Sequence, residues 1–376
     1  MNSRPQKAYI RKDLEKKMVF LAGPRQVGKT TLAKSYADVW PDLTYLNFDS
    51  DKDRPLMLKQ EWNRKSPLVI LDEFHKLKKW KSKLKGVYDT EGIPPRIFVT
   101  GSARLDLYRR GGDSLAGRYF LHRLYPFSVR ELRGHAAPKE LLDQLMLLGG
   151  FPEPFFSQSE EEAKRWRKQN IERIVREDVQ DLEPVRNIQT LLLLVDLLRK
   201  RVGSSISYSS LAGDLEISPH TVKHWIQILE NMYILFPVPP YHRNLARAIL
   251  KEPKIYFYDT GAVQGDAGAK LENAVAVCLR KWLHFLEDTK GMETQLHYIR
   301  DKEKREVDFA VFLDGKLEAL IEVKLSDGDL HKPLSYYSQK LKPRQAIQLV
   351  HQESKIRSVG NISIHPAAEW LDTLDI

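Results

Sequence analysis

The segment Gly23-Pro24-Arg25-Gln26-Val27-Gly28-Lys29-Thr30 reads G-x-x-x-x-G-K-T. It lies between an apolar run, Met18 to Ala22, and a helical pattern, Thr31 to Val39. A buried strand that feeds a glycine-rich loop and then a helix is the setting a phosphate-binding P-loop requires. The two glycines let the backbone fold tightly, so that successive N–H groups face one anion. The helix start adds unpaired donors and the positive end of its dipole. Lys29 is a point charge for the β- and γ-phosphates, and the Thr30 hydroxyl suits Mg²⁺. Gly23, Pro24, Arg25, Gln26, Val27, Gly28, Lys29, Thr30 and Thr31 are therefore the candidate nucleotide-binding set.

A second strand is expected over Leu43 to Phe48 and a third over Pro67 to Glu73. In the third, Leu68-Val69-Ile70-Leu71 ends in Asp72-Glu73, a Walker B pattern. The apolar run buries the strand in a parallel sheet, and its C-terminal end delivers the acids to the ligand crevice. Asp72 is expected to hold Mg²⁺ through water, and Glu73 to polarise the attacking water as general base. The plainer alternative for Glu73 is a solvated acid at a strand end. A fourth strand, Arg96 to Ser102, places Ser102 beside the γ-phosphate as a sensor candidate, with Thr100 in reserve. Downstream, the Arg118 guanidinium is a candidate for stabilising charge on the transferring phosphoryl group, in cis or across a subunit contact. Arg104, Arg109 and Arg110 compete for that role. A structural Arg118, paired with Glu131, is the alternative.

Composition fits a soluble globular protein: 42% of the 376 residues are hydrophobic and 29% charged. No apolar run reaches 18 residues, and the polar, basic stretch Met1 to Lys17 lacks the apolar core of a secretion signal. Cys278 is the only cysteine, which excludes a disulfide framework within the chain and points to a cytoplasmic setting. The net charge of +10 draws polyanions but does not by itself assign a function.

The strings GPRQVGKTTL, LDEFHK and VTGSA, with SLAGRY followed by YPFSVREL, resemble those of AAA-superfamily ATPases of the AAA_14 type. The resemblance extends over nearly the whole chain, because such ATPases usually carry a C-terminal region of the DUF4143 kind. It implies ATP rather than GTP. The lack of an N-K-x-D guanine reader agrees.

Beyond the ATPase module, Leu148-Gly149-Gly150-Phe151-Pro152-Glu153-Pro154 reads as a linker or bent loop. Helices are expected over Glu160 to Val179 and Ile188 to Val202. A helix, a short turn and a second helix follow, over Ser207 to Leu215 and His220 to Tyr233, with Ser218 as cap and Pro219 at the first helical position. With a β-wing starting at Ile234, this is a winged helix-turn-helix whose reading face would carry His220, Thr221, Lys223, His224 and Gln227. A packing role for the same element is the alternative.

The last third pairs a helix, Ala269 to Phe285, with strands at Leu296 to Arg300, Glu306 to Phe312 and Leu320 to Lys324, and a hairpin turn at Asp314-Gly315. Asp308, Glu322 and Lys324 form the D…E-x-K pattern of the PD-(D/E)XK nuclease-like fold. Glu322 and Lys324 leave one face of a strand, and Asp308 reaches that face from its neighbour. Asp308 and Glu322, completed by Glu272 from the helix, are a candidate Mg²⁺ set, and Lys324 a candidate for orienting the attacking water. Gln339 is a candidate auxiliary contact. The dull alternative is a scaffold without cleavage, its Glu and Lys merely solvated.

The expected architecture is α/β throughout. It comprises a parallel-sheet P-loop domain (1–147), a helical and winged-helix domain (148–260) and a restriction-endonuclease-like domain (261–376). The expected function is Mg²⁺-dependent ATP hydrolysis that acts on, or is regulated by, DNA through the winged helix and the nuclease-like domain; the alternative is a nucleotide-dependent switch whose C-terminal domain binds a partner without cleavage. No membrane role is expected, and the sequence leaves the oligomeric state open.

Overall fold

The computed structural model describes residues 4–93, 95–101, 115–179, 187–242, 252–326 and 329–375. The chain divides into two compact units, Met1–Tyr125 and Pro126–Ile376.

In the first unit, five strands form one parallel sheet. They are β1 (Met18–Ala22), β2 (Thr44–Asn47), β3 (Leu68–Asp72), β4 (Arg96–Thr100) and β5 (Tyr119–Arg123), in the order β2-β3-β4-β1-β5. Strands β1 and β3 are buried at every position. Apolar runs without alternation are what a sheet covered on both faces selects. Phe20, Val69, Leu71, Ile97 and Val99 pack there with Trp80, and the Phe20 and Tyr119 rings stack at 4.3 Å. From β1 the chain crosses to the far strand β2 and returns, so β4 lies between β1 and β3. Because all five strands run the same way, Gly23, Asp72 and Thr100 emerge on one edge of the sheet. That reversal of strand order is where α/β sheets form ligand crevices.

The second unit begins with helices. Gly149, Gly150 and Phe151 are buried rather than linker-like, and a short helix, Pro152–Ser157, follows directly. The proline and glycine content instead serves a tight bend, since a Cβ on Gly149 would overlap the Asp259 carboxylate. The helix expected over Glu160 to Val179 is α-helical over Glu160–Arg173 and π-helical over Ile174–Val179. Further helices span Ile188–Arg199, Tyr208–Leu215 and Pro219–Asn231, the last capped by Ser218, whose side chain accepts from the Thr221 N–H at 3.0 Å. Strands β6 (Leu235–Val238) and β7 (Lys254–Phe257) then pair antiparallel.

The 24-residue helix Ala267–Lys290 packs against a six-stranded sheet. Strands β8 (Thr294–Arg300), β9 (Glu306–Leu313) and β10 (Lys316–Lys324) form an antiparallel meander. After the helix Lys332–Leu341, β11 (Gln345–Val350) pairs parallel to β10, as a helical crossover allows. Strands β13 (Ile362–Pro366) and β12 (Arg357–Val359) complete the sheet at the far edge.

Candidate nucleotide site and C-terminal carboxylate cluster

The loop after β1 needs unusual backbone angles. Gly23 has φ +143°, Gly28 φ +98° and Gln26 φ +58°. A Cβ at Gly23 would collide with the backbone carbonyl oxygen of Leu124, which the chain cannot easily move. Gly23→Ala is therefore expected to lower the stability of the first unit by at least about 1 kcal/mol. Urea unfolding measures this, and a midpoint equal to wild type would contradict it.

Within the loop, the nearly buried Lys29 ammonium donates to the carbonyls of Gly23 at 3.0 Å and Pro24 at 2.6 Å. Arg4 braces the same segment, donating to the Val27 carbonyl at 2.9 Å and the Tyr125 carbonyl at 3.1 Å. No motif in the sequence singles out Arg4.

Asp72 is buried and accepts three hydroxyls. Thr30 Oγ1 donates to its Oδ2 at 2.8 Å and Tyr45 Oη at 2.7 Å, while Thr100 Oγ1 donates to Oδ1. Hydrogen bonding to Asp72 and burial both raise the Tyr45 hydroxyl pKa, burial contributing most. A carboxylate and a threonine hydroxyl are hard oxygen donors, and they meet beside the loop that carries Lys29. This donor set fits Mg²⁺, which Thr30 and Asp72 would hold. Bound there, Mg²⁺ supplies charge neutralisation for phosphate oxygens.

Glu73 follows at φ +57°, an uncommon conformation for a residue with a side chain. Its N–H donates to the Thr100 carbonyl at 2.9 Å, which fixes the turn. Its carboxylate lies 3.5 Å from His75 Nε2 and 3.7 Å from Lys76 Nζ. Burial pushes its pKa up, opposed by Lys76 and Lys29. A carboxylate shifted in that direction is a stronger base than an exposed one.

Arg118 lies elsewhere. Strand β5 runs parallel to β1 with Tyr119 opposite Met18, so Arg118 is at the edge away from the loop that follows Ala22. It chelates Asp89 at 2.6 and 3.1 Å. It therefore cannot meet phosphates at its own loop, and the expected alternative partner, Glu131, pairs instead with the buried Lys281. Ser102, Arg104, Arg109 and Arg110 lie outside the described residues.

In the second unit, Glu272, Asp308, Glu322 and Lys324 do come together, but with residues the sequence reading did not include. Lys254 Nζ, almost wholly buried, lies 3.0 Å from Glu272 Oε1, 2.8 Å from Glu306 Oε1 and 3.1 Å from Asp308 Oδ1. Burial alone would lower the Lys254 pKa, yet the carboxylates of Asp308, Glu272 and Glu306 carry it well above the usual value. Tyr256 Oη donates to Glu272 at 2.6 Å, and the Val323 N–H to Asp308 Oδ2 at 3.0 Å. Burial, and after it Asp308, pushes the Glu272 pKa up to about 7. Glu322 Oε1 meets Lys324 at 2.7 Å and His331 Nδ1 at 3.1 Å, while its Oε2 is buried with no hydrogen-bond partner. Gln339 is exposed and takes no part in this cluster's contacts.

These residues do not fit a divalent cation. Among the described residues, no group of three or more His, Cys, Asp or Glu is arranged to hold a metal. Glu272 Oε1 and Asp308 Oδ1 already face the Lys254 ammonium and Asp308 Oδ2 accepts the Val323 N–H, which leaves Glu322 Oε2 as one unpartnered oxygen. The signal for Lys254 was available: a lysine heading the apolar run Ile255-Tyr256-Phe257. Which carboxylates it would meet was not.

Along the helix Pro219–Asn231, His220, Lys223 and Gln227 are exposed, while Val222, Trp225, Ile226 and Leu229 are buried. Asp214 and Glu216, at the end of the preceding helix, are also exposed. No helix among the described residues is long and apolar enough to cross a membrane.

Comparison with known proteins agrees with the N-terminal reading. Residues 15–133 match a family described as "AAA domain". Residues 139–270 and 267–370 match two families described as domains of unknown function, DUF8612 and DUF4143. An uncharacterized protein of Mycobacterium tuberculosis is 27% identical over 313 residues, 80% of this chain and 68% of that protein. One from Methanocaldococcus jannaschii is 27% identical over 332 residues, 72% of this chain and 69% of that protein. Among solved structures, a Walker-type ATPase of Pyrococcus abyssi has a TM-score of 0.41 at 15% identity, covering 70% of this chain and 94% of that one. A Thermotoga maritima RuvB variant has 0.31 at 18% identity, covering 62% and 88%. The family match and the motifs together support an AAA-type P-loop ATPase domain at the N-terminus.

Proposed function

We propose that this chain is a Mg²⁺-dependent ATPase whose second unit serves as a binding module, so that nucleotide turnover switches its hold on a partner. The observation that carries the ATPase reading is the meeting of Thr30, Asp72 and Thr100. They come from three segments, and their hydroxyl–carboxylate contacts close at the edge where the loop of Gly23 to Thr30 emerges. In this reading the loop N–H groups bind the phosphates and Lys29 neutralises their charge. Glu73 takes a proton from the attacking water, and Thr100 fixes the Asp72 carboxylate. Arg118 is retained only as a group that a second copy would receive in trans.

A second reading, that the partner is DNA, is favoured by the exposed polar face of Pro219–Asn231. Together with β6 and β7 it supports a winged helix-turn-helix. The net charge of +10 agrees, whereas Asp214 and Glu216 beside that face oppose it. The order of helix, three-strand meander, helix and parallel strand likewise supports a restriction-endonuclease-like fold over 267–350.

Phosphate release from ATP, with and without duplex DNA, separates the readings. The switch reading expects Mg²⁺-dependent turnover that DNA leaves unchanged. Stimulation of severalfold or more by DNA would make nucleic acid the partner, and no turnover under any magnesium condition would end both.

A further inference from the structure

The buried cluster around Lys254 carries an inference independent of nucleotide chemistry. An ammonium has three donors and no acceptor. Here three carboxylates, from Glu272 on the helix Ala267–Lys290 and from Glu306 and Asp308 on β9, each lie within 3.1 Å of it. The donors are thereby saturated. Lys254 is not an adjustable surface side chain, because β7 is buried at every position and pairs with β6, so the stem enters from a fixed strand. Its ammonium also lies 5.6 Å from the centre of the Tyr298 ring, which adds a further favourable contact.

We propose that Lys254 is a built-in counter-cation that replaces a divalent metal among Glu272, Glu306 and Asp308. The cluster is then a metal-independent fastening of the β6–β7 ribbon to the helix and sheet beside it, and not a phosphodiester-cleaving centre. Four points support this. A divalent ion bridging Glu272 and Asp308 would share their oxygens with a fixed positive charge. Asp308 Oδ2 is committed to the Val323 N–H, so Asp308 cannot turn to chelate without leaving a buried donor unmet. Glu322 Oε2, buried and without a hydrogen-bond partner, is a single oxygen, and its carboxylate is already met by Lys324 and His331. Arg300, 3.4 Å from Glu306, adds a further cation at the solvent side of the set.

The test titrates Mn²⁺ into the nucleotide-free full-length chain and reads the free-ion resonance. Asp72→Asn is the background, so that the nucleotide site does not contribute. The expected result is no saturable uptake, and the same trace after adding Asp308→Asn. Stoichiometric uptake that Asp308→Asn removes would overturn the proposal. In EDTA, Lys254→Met is expected to melt below wild type, because three carboxylates lose their shared cation. A melting temperature equal to wild type would also overturn it. Should Lys254→Met fail to fold, the comparison at Asp308 still decides.

Discussion

Lys29→Ala is expected to lose ATP binding, with affinity falling at least a hundredfold and turnover becoming undetectable. The reasoning starts from charge. The loop Gly23 to Thr30 offers phosphates two kinds of positive field, its N–H groups with the helix end, and one ammonium. A charge-assisted hydrogen bond contributes roughly 1.5–3 kcal/mol. Contacts to two phosphates together are then about 3–6 kcal/mol, or roughly two to four decades of affinity. The same ammonium donates to the carbonyls of Gly23 and Pro24, so removing it also leaves two loop acceptors short of a donor. Both effects act in one direction. Titration with a fluorescent ATP analogue and circular dichroism together check it, since the variant must lose binding while keeping its helices. Affinity within threefold of wild type would mean that the phosphates lie elsewhere.

What the sequence revealed of this site, and what it hid, follows from the range of the interactions. Strands β1, β3 and β4 were legible because a sheet covered on both faces requires unbroken apolar residues, a local pattern. Asp72 was legible because it ends such a run. Tyr45 was not. Its hydroxyl reaches Asp72 only because β2 pairs with β3, with Asn47 opposite Asp72, and strand order is a long-range outcome. For Arg118 the choice between a cis and a trans role was hidden for the same reason. Its family-like setting suggested phosphate chemistry, yet strand direction places it at the Met18 end of β1. In the second unit, the Ser218 cap and the D…E-x-K spacing were visible, since both are contacts within a few residues or along one strand. The role of Lys254 was hidden, because its carboxylates are 18, 52 and 54 positions away in the chain (Glu272, Glu306 and Asp308). The glycines near 150 were visible as a bend, but only the fold shows that the bend is packed against Asp259.

Glu73→Gln tests the chemistry rather than the binding. The substitution keeps shape and a hydrogen-bonding head but removes the ability to take a proton. Positioned general bases contribute about 10²–10⁴ in rate, so turnover at saturating ATP is expected to fall roughly a hundredfold or more. Affinity should change by only a few fold, since Lys29, Thr30 and Asp72 remain. The surroundings favour the assignment. The Glu73 backbone is locked at positive φ by the Thr100 carbonyl, which keeps its carboxylate on the edge occupied by Asp72. Burial strengthens it as a base, while Lys76 keeps its anion from being isolated. His75 and Lys76 are the groups most able to compensate, being its nearest polar neighbours, so Glu73→Gln is best read beside Lys76→Met. Phosphate release and equilibrium binding, measured on the same preparation, separate the two parameters. A Glu73→Gln protein that turns over within tenfold of wild type would move the base role to another group. One that loses binding and turnover together would make Glu73 a structural element of the crevice instead.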